Sequence, residues 1–176
     1  MYKRTLIFLV CSLLLFPSIV WAGEGKSRYA TLKYASRELL NDFNDEIRLG
    51  RKLSQYMRRK NVITVEDEVL AKIDTIVEKA ETILDMFPDN LHITIVLLED
   101  KRAVGRMFQS KYGKRVNHIA YYSLSEDTIY MSVDDARLRV LAHEIGHAIV
   151  DHFFKVRPPY NIHELMAQFT EKHITD

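Results

Sequence analysis

The chain has 176 residues, and its 25 lysines and arginines nearly balance its 24 aspartates and glutamates. This length allows one domain with a modest core, and the small net charge gives no basic surface of the kind that binds nucleic acid. A single cysteine excludes a disulfide framework and a thiolate zinc finger, so any metal site must use histidine and carboxylate ligands.

The first 22 residues have the pattern of a secretory signal peptide. A basic N-terminal end precedes an apolar run over residues 5–16, and Val20 and Ala22 fit the −3 and −1 positions of a cleavage site. The alternative is an uncleaved membrane anchor, which Pro17 disfavours because it interrupts the apolar run. We expect cleavage after Ala22 and a periplasmic or secreted protein with no stable membrane span and no cysteine.

Helices are predicted for the next part of the chain. Apolar residues at helical spacings predict a helix over about residues 26–59, in which Gly50 can introduce a break. Thr64 opens a capping signal for a second helix, which is predicted to run to about Phe87 and to stop at Pro88.

Three strands are predicted to follow. Residues 91–98 form an apolar, β-branched run, and residues 116–123 and 128–133 are similar runs on either side of a polar turn. The charged residues 99–115, between the first two runs, are predicted to be a loop.

Two more helices are predicted after the strands. Asp134 or Asp135 can cap a helix that runs to about Phe154, and two prolines follow it. Asn161 can cap a last helix over about residues 162–173.

The segregation of helices from strands predicts an α+β fold. We expect a small antiparallel or mixed three-stranded sheet with a backing helix. Residues 23–62 are expected to form an N-terminal helical segment, and residues 63–176 are expected to form the main domain.

The pentapeptide from His143 to His147 carries the chemistry predicted for this chain. The two histidines are four residues apart within an amphipathic helix, so both project from one face and can chelate one metal ion. Glu144 is rotated by about 100° from His143 and can reach a water on that ion without being a ligand. Two imidazoles, a positioned base and an open coordination position are what hydrolytic zinc sites use.

A zinc site of this type usually has a third protein ligand, for which Glu164 is the best candidate. It lies in the last predicted helix, and a bend at the two prolines would turn that helix back, with the small Ala167 permitting close approach. His163 is the competing candidate, but it points about 100° away from Glu164. Asp151 is expected to make an outer or packing contact. The predicted Zn²⁺ ligands are His143, His147 and Glu164.

Peptide hydrolysis also needs a base and a hydrogen-bond donor for the oxyanion. Glu144 would take the proton of the attacking water and pass it to the leaving amine. Tyr160 and His163 are both placed to stabilise the oxyanion, and the choice between them stays open. The other histidines of the mature chain are expected to be surface or core residues: His92, His118, His152 and His173.

Several segments resemble those of gluzincin metallopeptidases. Residues 140–147, Val-Leu-Ala-His-Glu-Ile-Gly-His, closely resemble the active-site helix of the HtpX- and BepA-like zinc peptidases. Residues 164–167 match the family's Glu-x-x-Ala, and residues 45–50 are similar to an acidic segment that ends in Leu-Gly. Residues 117–122 resemble the edge strand that holds a substrate in extended form.

The resemblance implies a zincin-like fold with an active-site helix and a C-terminal glutamate helix. It implies that His143, His147 and Glu164 bind zinc and that Glu144 is the base. Gln168 stands where the family has an aspartate that orients the first histidine, and an uncharged acceptor there would make that histidine a weaker donor to zinc. The spacing from His147 to Glu164 is short, as in minimal gluzincin domains.

The sequence thus predicts an exported zinc endopeptidase that hydrolyses extended or unfolded proteins, and a protein or peptide substrate as its partner. One alternative is a zinc-binding envelope protein with a chaperone-like role and no turnover. Another is a latent enzyme whose cleft is covered by the N-terminal helix (26–59) or by residues 171–176.

Overall fold

The elements of the chain alternate between helices and strands more often than predicted. A computed structural model describes residues 21–58 and 60–176, so the predicted signal peptide lies outside the described residues except for its last two positions. The elements are β1 (Gly23–Lys26), β2 (Ala30–Tyr34), α1 (Arg37–Glu46), α2 (Gly50–Met57), α3 (Val65–Leu84), β3 (Ile93–Leu98), α4 (Lys101–Tyr112), β4 (Ala120–Ser123), β5 (Thr128–Ser132), α5 (Leu138–Phe153) and α6 (Tyr160–His173).

The strands form one mixed sheet in the order β1-β2-β3-β5-β4. β2, β3 and β5 run parallel to one another, whereas β1 and β4 run antiparallel to their neighbours at the two edges. The α+β class is confirmed. The prediction of three strands is wrong, because the described part of the chain contributes five strands to the sheet.

The two additional strands occupy the start of the segment predicted to be a helix from residue 26. In β2, the core residues Ala30, Leu32 and Tyr34 occur at every second position, which is the period of a strand and not of a helix. β2 pairs in parallel with β3, so residues 23–62 share a sheet and a core with the rest of the chain and are not purely helical.

Helix α1 begins only after β2. The Ser36 side chain caps it by accepting a hydrogen bond from the N–H group of Leu39 at 3.1 Å. The predicted break at Gly50 is confirmed, since α1 ends at Glu46 and Gly50 takes a positive φ of 73° at the start of α2.

The capping signal before α3 is also confirmed. Thr64 and Asp67 cap each other's backbone, with the Thr64 hydroxyl accepting from the Asp67 N–H group and the Asp67 carboxylate accepting from the Thr64 N–H group. The helix ends at Leu84, a few residues before the predicted end at Phe87, because Asp85 adopts a left-handed conformation.

Helix α4 lies where a loop was predicted. Asp100 caps its start by accepting a hydrogen bond from the Ala103 N–H group at 2.7 Å, and Gly113 ends it with a φ of +69°. The prediction weighed the charges of residues 99–115 and overlooked these two caps.

The first residues of α5 and α6 differ from the predicted caps. Asp135 accepts a hydrogen bond from the Ser132 hydroxyl within a turn, so α5 begins only at Leu138. Helix α6 begins after Pro159, whose carbonyl accepts from the N–H group of His163, and Asn161 lies inside the helix.

The sheet carries helices on both faces. Leu32, Ile95 and Ile129 lie in the larger core, which also contains residues of α1, α3 and α5. On the opposite face, Val104 of α4 packs with Tyr121 and other residues of the sheet. α5 packs beside the edge strand β4, and α6 packs on α5, so three elements meet at this edge. None of the described helices combines the length and apolarity needed to cross a bilayer.

Candidate metal centre

Helix α5 supplies three of the predicted site residues. Its apolar residues are fully buried in the core: Leu141, Ala142, Ile145, Ala148 and Ile149. His143 and His147 lie on a different face from this buried stripe, are only partly exposed and point toward α6. The same stripe that fixes α5 against the sheet therefore fixes the direction of the histidine pair.

Helix α6 brings Glu164 to the histidine pair because α5 and α6 approach each other closely. Gly146 of α5 lies against Ala167 and Thr170 of α6, and a Cβ atom at Gly146 would lie 3.0 Å from the Cα atom of Ala167. Ala167 is fully buried. Ala167, the small residue expected to allow this approach, thus lies where the helices meet.

The predicted ligand atoms converge. The Nε2 atoms of His143 and His147 are 3.1 Å apart. One carboxylate oxygen of Glu164, Oε1, lies 3.5 Å from Nε2 of His143, and the other, Oε2, lies 3.4 Å from Nε2 of His147. Ligand atoms of these three residues all lie within 4.8 Å of one another, so the group could hold a metal ion.

The other ring nitrogen of each histidine is also engaged. Nδ1 of His143 donates to a carboxylate oxygen of Glu171 at 3.0 Å, which leaves the Nε2 lone pair free to bind a cation. Nδ1 of His147 lies 2.7 Å from Nδ1 of His163. When His147 uses Nε2 as a ligand, its proton resides on Nδ1 and His163 is the acceptor.

The expectation that Gln168 is the acceptor for His143 is wrong. Gln168 donates from its amide nitrogen to Glu164 at 3.1 Å, and Glu171, one helical turn closer to the C-terminus, takes the place next to His143. The first histidine thus has a charged acceptor. Glu171 therefore provides the acceptor for His143 that the resemblance predicted at position 168.

The electrostatics of the site favour neutral imidazoles. Burial, with smaller contributions from the neighbouring His143 and His163, lowers the pKa of His147 to about 4. Burial also lowers the pKa of His163. Neutral imidazole is the form that coordinates a metal, so the lowered pKa of His147 favours the form of this residue that could bind a cation.

Glu144 lies beside the ligand group and is almost fully buried. Burial raises the pKa of its carboxyl to about 8, the backbone N–H of Tyr122 acts in the opposite direction, and the charges of Glu164 and Glu171 add to the rise. A buried carboxyl beside a polar cleft, with its pKa raised toward neutrality, has the properties of a general acid or base.

The donor set fits a small hydrolytic metal site. It consists of two imidazole nitrogens and one carboxylate, each histidine has a hydrogen-bonded second nitrogen, and Glu144 is close by without being part of the ligand group. This composition is found in catalytic sites that keep one coordination position open.

A cleft of about 790 Å³ opens over the site. Tyr160 and His163, the two oxyanion candidates, both line it. Tyr160 is 80% exposed, whereas His163 is buried and its Nε2 atom has no hydrogen-bond partner among the described residues. Arg157, which the sequence reasoning did not single out, also lines the cleft and donates to Asp151.

Neither segment considered as a cover lines this cleft. The lining residues come from α4, β4, α5, α6 and the loops between them. No residue of 23–58 or 171–176 is among them. Within the described part of the chain, the cleft next to the metal centre is therefore open.

The other histidines have other partners. His92 contacts Thr31, His152 contacts Asp127, and His173 contacts Asp176. His118 is exposed and lines the cleft without joining the ligand group. Asp151, expected to make an outer or packing contact, accepts from Arg157 and from the Tyr122 hydroxyl.

Sequence reasoning missed Glu171 as a functional residue, although a signal for it was present. Glu171 follows Glu164 by seven residues, or two helical turns, so both carboxylates lie on the same face of α6. The aromatic residues of α4 in the cleft were missed because α4 itself was predicted to be a loop.

The comparisons with known proteins give no independent assignment. No protein-family model matches the chain, and neither the curated proteins nor the solved structures yielded a significant match. The functional argument therefore depends on the geometry and chemistry of the His143, His147 and Glu164 group.

Proposed function

We propose that this chain is a zinc-dependent endopeptidase of the gluzincin type, exported from the cytoplasm and acting on extended or unfolded proteins. The observation that carries the proposal is the convergence of Nε2 of His143, Nε2 of His147 and the Glu164 carboxylate on α5 and α6. His143, His147 and Glu164 would hold the zinc ion.

Zinc, when bound, would polarise a peptide carbonyl and lower the pKa of a coordinated water. Glu171 and His163 would keep the rings of His143 and His147 in place through their Nδ1 atoms. The hydrogen bond from Gln168 would hold the Glu164 carboxylate in the same way. The chain thus contributes both the ligands and the groups that fix their orientation.

Glu144 would move the proton. Its carboxylate is buried against the cleft and would accept a proton from the attacking water and deliver it to the leaving amine. Burial raises the pKa of this carboxyl to about 8, and a cation held by the ligand group would act in the opposite direction. His163 and Tyr160 remain the candidates for stabilising the oxyanion.

The test combines metal analysis with proteolysis. The full chain is purified, its zinc content is measured by mass spectrometry, and cleavage of unfolded casein is followed. We expect about one zinc per chain for a single site of this composition. In Glu144→Gln we expect the zinc to be retained and cleavage to fall at least about a hundredfold, since a proton-transfer group typically contributes that much.

Glu38→Gln is the matched control, because Glu38 is exposed on α1, outside the cleft. It should change neither zinc content nor cleavage. Full cleavage by Glu144→Gln would contradict the proposal. Zinc in the wild-type chain without cleavage of any peptide in a broad library would identify a zinc-binding protein without turnover.

A further inference from the structure

Strand β4 has one side that no described strand covers. It lies at the end of the sheet and pairs only with β5. Ile119 accepts a hydrogen bond from Ser132, so Ile119 and Tyr121 belong to the pairs that bond to β5. The backbone groups of Ala120 and Tyr122 alternate with these and point away from β5. The Tyr122 N–H group interacts with Glu144, so an extended peptide could pair with both backbone groups of Ala120 and with the Tyr122 carbonyl.

The side chains on the two faces of β4 pack in two different cores. Ala120 and Tyr122 belong to the core on the α5 side, and the Tyr122 N–H group reaches Glu144. Tyr121 belongs to the core on the α4 side. Because side chains of a paired strand alternate in the same way, every second side chain of a bound peptide would point toward the metal centre and the others toward α4.

Aromatic rings line the α4 side of the cleft. Phe108 lies 4.6 Å from Tyr112, 5.7 Å from His118 and 5.0 Å from Tyr121, measured between ring centroids. We call Phe108, Tyr112, His118 and Tyr121 the aromatic pocket. All four residues line the same cleft as His143, Glu144 and Glu164. Tyr112 and His118 are exposed, so these rings are accessible from the cleft.

The rings of the aromatic pocket are held in place. The Tyr112 hydroxyl bonds to the Ser123 hydroxyl at 2.6 Å, and the Tyr121 ring stacks on Tyr130 at 5.0 Å. The Tyr121 hydroxyl is buried without a hydrogen-bond partner among the described residues.

We propose that the aromatic pocket binds a large apolar side chain, aromatic or aliphatic, of a peptide paired with β4, and that it thereby sets the sequence preference of the site. This inference rests on the proposed peptidase function. It names an extended peptide as the occupant because the pocket is continuous with the metal centre and with the open edge of β4.

The test measures binding apart from turnover. The full Glu144→Gln chain, loaded with zinc, is titrated into four fluorescent eight-residue peptides, and fluorescence anisotropy is recorded. The peptides differ at one position, which holds Phe, Leu, Ala or Glu. We expect the Phe and Leu peptides to bind about tenfold more tightly than the Ala peptide. Adding Phe108→Ala or the exposed His118→Ala should reduce this preference, whereas Tyr56→Ala, an exposed ring on α2, should leave it unchanged.

The outcomes separate the two proposals. A preference that depends on Phe108, without cleavage by the wild-type chain, supports the aromatic pocket and contradicts the peptidase function. Cleavage with equal affinity for all four peptides overturns the pocket and leaves the peptidase function intact. A dimer that Phe108→Ala dissociates would show that a second copy occupies the pocket, which also overturns the inference.

Discussion

The Nδ1 atom of His143 donates a hydrogen bond to the carboxylate of Glu171 at 3.0 Å, two helical turns beyond Glu164 on α6. This contact fixes the ring orientation and leaves Nε2 pointing at Nε2 of His147 and at Glu164. An anionic acceptor also makes the imidazole a stronger donor to a cation. Glu171 therefore positions the His143 ring in the candidate metal centre.

We expect Glu171→Gln to weaken zinc binding about tenfold and Glu171→Ala to weaken it by up to about a hundredfold, the usual range for loss of such a contact. The glutamine keeps an acceptor but loses the charge, which explains the smaller effect. Zinc affinity is measured by competition with a chromophoric chelator. Lys172→Ala, at the neighbouring exposed position, is the control. Equal affinities for all four chains would show that Glu171 has no such role.

His163 is expected to act in the same way on the second ligand. Its Nδ1 atom is 2.7 Å from Nδ1 of His147 and accepts a hydrogen bond from the Nδ1–H group that His147 has when its Nε2 binds a metal. His163→Leu removes the acceptor and should weaken zinc binding by about tenfold or more. His163→Asn, whose side-chain oxygen can accept the same hydrogen bond, should recover part of the loss.

The readout for this pair of variants is again chelator competition, with thermal unfolding to show that both variants fold. If the leucine and asparagine variants bind zinc equally well, the contact between His163 and His147 does not support the ligand.

The site could be predicted from sequence where one helix carries the whole pattern. His143 and His147 are four residues apart, and helical geometry alone places them on one face. The prediction of Glu164 as a ligand depended on α6 turning back against α5, and the small Ala167 supported that arrangement. The seven-residue spacing from Glu164 places Glu171 on the same face of α6. The contacts of Glu171 with His143 and of His163 with His147 also depend on the rotation of α6 relative to α5, which spacing alone does not determine.

The errors in the fold have a common cause. β2 is short, and its Leu32 also fits the helical spacings that follow it, which conceals the alternation of Ala30, Leu32 and Tyr34. Helix α4 buries little besides Val104, so its apolar pattern is weak, and only its caps at Asp100 and Gly113 mark it. The average composition of a sequence window does not distinguish β2 or α4 from its surroundings. The alternation of residues in β2 and the capping residues of α4 do distinguish them.

The ion pair between His152 and Asp127 predicts a pH dependence of stability. The hydrogen bond to Asp127 raises the pKa of His152 above its ordinary value of 6.5. Burial alone would raise the pKa of Asp127, but hydrogen bonds from His152 and Tyr122 hold it below its ordinary 3.8. The histidine contribution is complete below about pH 6.5 and is lost as the pH rises through the raised value. The aspartate contribution is present above about pH 4 and is lost as the pH falls through the lowered value.

The pair should therefore stabilise the fold most between about pH 4 and 6.5. We expect the Tm difference between wild type and His152→Gln to be larger at pH 5.5 than at pH 8.5, as measured by thermal unfolding. Asp127→Asn should show the same trend. A difference that does not change between the two pH values would contradict the assignment.

Gly146 tests whether the close approach of α5 and α6 forms the metal centre. A methyl group at this position would lie 3.0 Å from the Cα atom of Ala167 and 3.0 Å from Oγ1 of Thr170, so α6 would have to move outward. We expect Gly146→Ala to lower the free energy of unfolding by about 1–3 kcal/mol, the usual cost of overpacking. It should also weaken zinc binding, because Glu164 moves with α6 while the histidines stay on α5.

Gly113→Ala provides the comparison, since it also adds one methyl group to a glycine. There the cost comes from the backbone, whose φ is +69°, because the methyl group would lie in open space. It should destabilise the fold by about 1 kcal/mol without changing zinc affinity. Urea unfolding and chelator competition are measured on both variants. If Gly146→Ala loses stability but binds zinc as tightly as the wild type, then the spacing of the two helices does not control the position of Glu164.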